Sequence, residues 1–163
     1  MKTKGNIKDI YPLSPMQEGM LFHSLYDDIS SVYFEQVSYR LHGDLNVSLV
    51  NRSLDYLLNR YDILRTLFIY EGQKRPLQVV LEKGKIDFYY EDLRKNGDPR
   101  QVVEIFKEKD KQRYFNFQKE LSIRVSVLRL GESEYEFIWS HHHILMDGWC
   151  RSILISEFFE IYN

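Results

Sequence analysis

Three consecutive histidines and an Asp-Gly pair form the densest group of reactive side chains in the sequence. They lie in IWSHHHILMDGWC, where His141, His142 and His143 end a predicted β-strand and Asp147 and Gly148 follow in the next loop. A histidine can move a proton near neutral pH, because its ordinary pKa is about 6.5. Catalytic side chains often lie on loops that rigid elements hold in place. The segment is therefore typical of a site for proton chemistry.

The alternation of a β-strand predicts where the three imidazoles point. Successive side chains lie on opposite faces, so His141 and His143 share the face of Tyr135, Phe137 and Trp139, while His142 points to the other face. His143 is thereby predicted at the end of an apolar row, beside the loop.

Three interpretations of this segment compete. The histidines could pack or hydrogen-bond at a strand end, which is the more usual role of an isolated histidine. Zinc is a second possibility, and the ligand types fit at His141, His143, Asp147 and Cys150. However, no second ligand pair stands at a zinc spacing, and we expect no metal. The third is acyl transfer, which the full pattern His-His-x-x-x-Asp-Gly favours.

Helix and strand signals place this segment in a mixed unit. A cap at Ser14, Pro15 and Gln17 predicts the first helix, with Gln17 and Glu18 serving mainly in capping. Predicted helices run from Pro15 to Tyr26, from Asn46 to near Asp62, from Asp98 onward, and from Ile153 to Tyr162. Predicted strands cover 33–41, 64–70, 77–81, 86–90, 121–130 and 134–140. The fold class is α/β or α+β, with a mostly mixed sheet covered by helices.

Composition excludes several classes of function. The 163 residues carry 22 basic and 24 acidic side chains, which argues against a nucleic-acid backbone as partner. The single cysteine, Cys150, allows no intrachain disulfide and fits a reducing compartment. No secretory signal is present, and no apolar run approaches the roughly 18 residues of a membrane span. We expect one soluble, cytoplasmic domain over residues 1–163.

Two further segments, in order before the histidines, complete a family pattern. They are YPLSPMQEGMLFH, from Tyr11 to His23, and RYDILRTLF, from Arg60 to Phe68. With HHILMDG, they resemble the condensation domains of nonribosomal peptide synthetases, which are similar to chloramphenicol acetyltransferase in fold. SPMQEGMLFH and HHILMDGWC are similar to the subtype that joins a D-configured donor to an L-aminoacyl acceptor. The paired aspartates of the heterocyclising relatives are absent.

The resemblance implies a reaction and roles for named residues. An aminoacyl amine on one carrier protein attacks a peptidyl thioester on another. The resemblance implies that His143 is catalytic and that His142 and Asp147 are structural, with Asp147 paired to Arg65; Arg60 is the alternative partner. An aspartate on a turning loop needs such a cation if it is buried.

Some details of the site stay open from sequence. His143 could act as general base, or it could orient the amine and stabilise the tetrahedral intermediate, a role that we favour slightly because a thioester is already activated. The Gly148 amide is a candidate oxyanion donor. Trp149 and Met146 are candidates for the wall of a substrate channel.

The resemblance also implies what lies outside this chain. It covers only the N-terminal lobe of a two-lobed domain, at the start of a synthetase if Met1 is the natural beginning. The implied partners are the missing C-terminal lobe, donor and acceptor carrier proteins, and an adenylation domain. No cofactor is expected on the lobe itself, because phosphopantetheine belongs to the carriers. We predict a folded lobe that is inactive alone and self-associates through an exposed apolar face. Alternatives are a noncatalytic carrier-docking module and, less favoured, an acyl-CoA-dependent acetyltransferase.

Overall fold

Two β-sheets of unequal size and the helices that pack on them make up the structure. It is a computed structural model that describes residues 6–26, 32–95 and 97–163. The strands are β1 (Ile7–Pro12), β2 (Phe34–His42), β3 (Thr66–Ile69), β4 (Leu77–Leu81), β5 (Asp87–Asp92), β6 (Ile123–Arg129) and β7 (Glu134–His142). The helices are α1 (Pro15–Tyr26), α2 (Val47–Arg60), α3 (Pro99–Gln112) and α4 (Gly148–Tyr162), with a 3-10 turn at Asp62–Arg65.

The larger sheet positions the histidines. Its order is β2-β7-β6-β5, and because only β5 and β6 run parallel, it is mixed, as predicted. Strand β7 has a neighbour on each side and is buried along almost its whole length. Its register places His141 opposite Glu35 of β2 and Ile123 of β6. A buried central strand is a rigid base for the loop that follows it.

The second sheet was not predicted as a separate layer. It is antiparallel, with the order β1-β4-β3. The sequence IKDIYP of β1 is exposed throughout and carries two charges and a proline, so it has no apolar alternation to reveal it. The predicted strand 64–70 is shorter than expected, because Leu64 and Arg65 belong to the 3-10 turn.

Helix starts agree with the capping signals. The Ser14 N–H donates to Gln17 Oε1 at 3.0 Å, and the Gln17 N–H donates back to Ser14 Oγ at 3.3 Å, which completes the predicted capping box. Glu18 lies in the first turn of α1, where a carboxylate suits the helix dipole. Asn46 and Asp98 cap α2 and α3 as expected.

Helix α4 begins earlier than predicted. Its N-cap is Asp147, whose Oδ1 accepts a hydrogen bond from the Cys150 N–H at 2.9 Å. The first turn carries the exposed Trp149 and no buried apolar residue, so apolar periodicity becomes visible only further along the helix. The Asp-Gly pair is therefore both the end of the histidine loop and the start of α4.

The main core lies between the larger sheet and helices α2 and α4. Its largest fully buried side chains include Trp139, Phe137, Phe158, Leu54 and Leu57. A smaller cluster of Leu93, Val103, Leu128 and Ile138 lies apart from it. Among the described residues, no helix is long and apolar enough to cross a membrane.

Candidate active site at the end of β7

His143 is the first residue beyond β7, and the structure places it at the loop as predicted. Its backbone N–H donates to the Tyr33 carbonyl at 2.8 Å, which fixes the start of the loop. Its side chain is 29% exposed, whereas Nδ1 is buried, 2.8 Å from Glu35 Oε1. One edge of the ring therefore lies buried against Glu35, and another part of the side chain is open to solvent, where a substrate could reach it.

His142 is buried, and its contacts define one tautomer. Its Nδ1 accepts a hydrogen bond from the Ile144 N–H at 3.1 Å, so the ring proton belongs on Nε2, 2.9 Å from Ser24 Oγ. Ser24 Oγ in turn donates to the Met20 carbonyl in α1. Burial, with a smaller effect of His143, lowers the pKa of His142 to about 3. The neutral ring thus ties α1 to the end of β7.

His141 is fully buried and also neutral. Burial first, and then the nearby Arg151 guanidinium, lower the pKa of His141 to about 3. Its Nε2 lies 3.6 Å from Glu35 Oε2, but a neutral ring makes no ion pair there. As the alternation predicted, it contacts the same carboxylate as His143, while His142 contacts other partners.

Sequence reasoning missed Glu35 and Arg151. Arg151, in the first turns of α4, forms an ion pair with Glu35 Oε2. One signal for Glu35 was available, because it shares the strand face of Tyr33 and Val37 and is a carboxylate on an otherwise apolar row. Such a group needs partners. The contact between Glu35 and Arg151 depends on the packing of α4 against β2, and no local sequence signal predicts it.

The predicted ion pair between Asp147 and Arg65 is wrong. Asp147 is exposed and caps α4, and the backbone hydrogen bond from Cys150 lowers its pKa. Arg65 is 4% exposed and pairs with Asp62. Arg60, the alternative partner for Asp147, instead has its Nε 3.4 Å from Glu157 Oε2. Asp147 and Arg65 are each satisfied by groups near them in the sequence, so nothing draws the two together.

Arg65 instead closes the end of α2. Its Nη1 donates to the Leu58 and Asn59 carbonyls at 2.6 and 2.9 Å, and its Nε donates to the Leu81 carbonyl at 2.9 Å. These carbonyls belong to a helix end and a strand end, where the backbone lacks partners of its own. Arg65 therefore satisfies the ends of a helix and a strand, with partners that differ from the one expected.

We expect Arg65→Met to lower the free energy of unfolding by about 3 kcal/mol, because part-buried carbonyls lose their donors. Urea unfolding followed by tryptophan fluorescence measures this. Arg60→Met is the matched control, since Arg60 stands at the same helix end but is 53% exposed, so its substitution should cost much less than that of Arg65. Equal costs for the two variants would contradict the assigned role.

The remaining candidates separate into two groups. Gly148 is the first residue of α4, where an N–H has no intrahelical partner and the helix dipole favours negative charge. Trp149 is 84% exposed beside it. Met146, in contrast, is packed in the main core, so the structure contradicts its assignment to a channel wall.

Gln17 does more than cap α1, since its Nε2 also donates to the Ile144 carbonyl in the histidine loop at 3.2 Å.

The histidine segment has no arrangement typical of a metal centre. Asp147 accepts a hydrogen bond from the Cys150 backbone N–H at the start of α4, whereas His141 and His143 contact Glu35. In residues 6–26, 32–95 and 97–163, no three His, Cys, Asp or Glu side chains are grouped so that they could hold an ion.

Large apolar side chains are exposed on the two helices that flank the loop. They are Met16, Phe22, Leu25 and Tyr26 on α1, and Trp149 and Ile153 on α4. An exposed apolar face was predicted, and exposed apolar side chains on this scale commonly mark an interaction surface. Self-association through it stays a prediction.

Comparison with known proteins places this geometry in context. A family model described as the Condensation domain matches residues 7–163. A plipastatin synthase chain of Bacillus subtilis (strain 168) is 48% identical over 100% of this chain, and a mycosubtilin synthase chain of Bacillus subtilis is 49% identical over 97%. The chain spans about 6% of the length of these two relatives.

Solved structures show the same fold. The starter condensation domain of the rhizomide synthetase RzmA superimposes with a TM-score of 0.84 at 23% identity, over 95% of this chain and 37% of that one. Holo-AB3403, a four-domain nonribosomal peptide synthetase, gives a TM-score of 0.85 at 16% identity, over 96% of this chain and 12% of that one. The predicted mixed α/β class is thereby confirmed.

Proposed function

Since this chain belongs to the condensation domains of nonribosomal peptide synthetases, we propose that it is the N-terminal, histidine-bearing lobe of one and forms peptide bonds together with a second lobe. One observation carries the proposal. His143 presents a partly exposed imidazole on a loop that His142, Asp147 and Gln17 hold by hydrogen bonds. Such a pre-organised ring at a strand end suits proton chemistry on a bound substrate.

The proposed reaction is aminolysis of a thioester. The amine nitrogen of an aminoacyl group forms a bond to the peptidyl carbonyl carbon, and the bond from that carbon to sulfur breaks. His143 accepts a hydrogen bond from the amine and so orients its lone pair toward the carbonyl. As the C–N bond forms, the nitrogen becomes acidic, and its proton passes by way of the imidazole to the departing thiolate.

Negative charge collects on the carbonyl oxygen in the tetrahedral intermediate. We assign the Gly148 N–H, at the start of α4, as a donor to that oxygen, because its position leaves the N–H without an intrahelical partner. Trp149, highly exposed next to it, is assigned to the wall of the channel through which a carrier arm enters. Both thioesters are proposed to hang on phosphopantetheine arms of separate carriers.

A second lobe is proposed to form the other wall of the cleft. Two findings support it: the chain covers only 37% of the solved starter condensation domain, and apolar side chains are exposed on the helices beside the loop. The lobe alone would leave the carrier arms without an enclosed channel. We propose donor and acceptor carriers and an adenylation domain as further partners, and a D-configured donor joined to an L-aminoacyl acceptor.

Complementation between the lobes tests this proposal. Loaded donor and acceptor carriers are mixed with the chain, with a separately produced C-terminal lobe, or with both, and products are followed by mass spectrometry. We expect product only when both lobes are present, and more from a donor ending in a D-residue than from its L-epimer. Carrier binding without product in the two-lobe mixture would contradict catalysis and favour a noncatalytic docking module.

A further inference from the structure

Glu35 is the point where three elements meet at the site. Its Oε1 lies 2.8 Å from His143 Nδ1, and its Oε2 pairs with Arg151 from α4. The same Oε2 lies 3.6 Å from His141 Nε2 on β7. A carboxylate on the apolar face of a strand is costly unless charges or donors satisfy it. Its two oxygens are divided here between the loop histidine and the arginine.

We infer that Glu35 is a positioning residue that fixes the ring orientation and tautomer of His143, an inference that rests on the proposed function. An ionised carboxylate only accepts hydrogen bonds, so the proton facing it belongs on Nδ1. The lone pair of Nε2 is then free for the substrate amine. Nδ1 is buried and not yet aligned for a linear hydrogen bond to Oε1. Such contacts often become aligned only when substrate binds.

Arg151 determines which oxygen of Glu35 is left for His143. A guanidinium is always charged and carries only donors, so it holds one carboxylate oxygen and leaves the other for the histidine. His141 does not compete for Oε1, because its Nε2 lies 3.6 Å from the other oxygen, Oε2, and makes no hydrogen bond. Glu35 therefore has one free acceptor, and His143 Nδ1 faces it.

Glu35→Gln should reverse the tautomer. A glutamine has one acceptor oxygen, which the Arg151 donors require, so its NH2 group turns toward His143 Nδ1. That nitrogen must then accept, and the proton moves to Nε2, where it meets the attacking lone pair of the amine. We expect kcat to fall about 100-fold, because a paired histidine in the wrong tautomer loses at least that much activity. KM should stay within about threefold of the wild-type value.

The ring nitrogens report the tautomer directly. In 15N spectra of histidine-labelled chain, we expect the neutral His143 ring to carry its proton on Nδ1 in the wild type and on Nε2 in Glu35→Gln. His143→Ala identifies the signal by its loss. A wild-type ring protonated at Nε2 would overturn the inference, whatever the fate of any variant.

Glu134→Gln is the matched control. Glu134 pairs with Arg40 at 2.6 Å across the same two strands, at their other end, and is 31% exposed against 27% for Glu35. In a complete two-lobed domain it should keep wild-type kcat. If His143→Ala retained turnover, the proposed function would fail. If His143→Ala abolished turnover while Glu35→Gln kept both kcat and tautomer, the role of Glu35 alone would be wrong.

Discussion

His143→Ala in a complete two-lobed domain is expected to lower kcat by at least about 100-fold, the range in which a positioned acid–base group contributes. Its imidazole is the partly exposed ring of the histidine segment, whereas His141 and His142 are buried and neutral. The loss should come from chemistry, since the loop is held by its backbone and by hydrogen bonds of His142, Asp147 and Gln17, all of which remain in the variant. Steady-state rates with saturating loaded carriers measure it.

His42→Ala supplies the control for this prediction. His42 lies exposed at the far end of β2, opposite Glu134, so its loss should leave kcat unchanged. The His143→Ala chain should still fold, because Arg151 continues to pair with Glu35 and the backbone N–H of residue 143 continues to donate to the Tyr33 carbonyl. A His143→Ala domain that is folded and still turns over at more than half the wild-type rate would rule out the assigned role.

Acidification from pH 7.5 to 5 is expected to destabilise the chain by about 4 kcal/mol. The folded pKa values of His141 and His142 are about 3, below the ordinary 6.5. Between about pH 3 and 6.5 the unfolded state therefore binds more protons, and the free energy of unfolding falls as pH falls. At pH 5 each histidine contributes about 2 kcal/mol of this loss.

The pH range in which the histidines destabilise the fold is distinct from that of the carboxylates. Asp62, Glu136 and Asp147 have lowered pKa values, so their stabilising effect persists above the ordinary carboxyl range and disappears only at more acidic pH. Urea unfolding at a series of pH values separates the two. His142→Gln removes one of the two titrating rings and should halve the loss between pH 7.5 and 5. An identical loss in wild type and variant would contradict this attribution.

Local signals in the sequence predicted much of the fold. The capping residues Ser14, Asn46 and Asp98 mark real helix starts because a cap depends only on neighbouring residues. The alternation around Trp139 likewise predicted which histidines share a face. Strand β1 was not predicted, because it is exposed on a small sheet and pairs with a strand that is distant in the sequence.

The site was predictable in position but not in its contacts. The motif located His143, yet Glu35 meets it only through the register of β2 against β7, and Arg151 only through the start of α4. The predicted pairing of Asp147 with Arg65 was wrong because local contacts, rather than long-range ones, decide where both groups lie. Local demands, a helix N-terminus for one and unpaired carbonyls for the other, satisfy both groups before they can meet.

The intact mass of the acceptor carrier after a single turnover reports directly on whether His143 takes part in peptide-bond formation. The chain is supplied within a complete condensation domain, together with a loaded donor carrier and an aminoacyl acceptor carrier. We predict that the acceptor gains the mass of the donor peptidyl group with wild-type protein and gains none on the same timescale with His143→Ala. An acceptor that gains the same mass with His143→Ala as with the wild type would contradict the role of His143, and one that gains no mass with the wild type, while both carriers bind, would contradict catalysis by the domain.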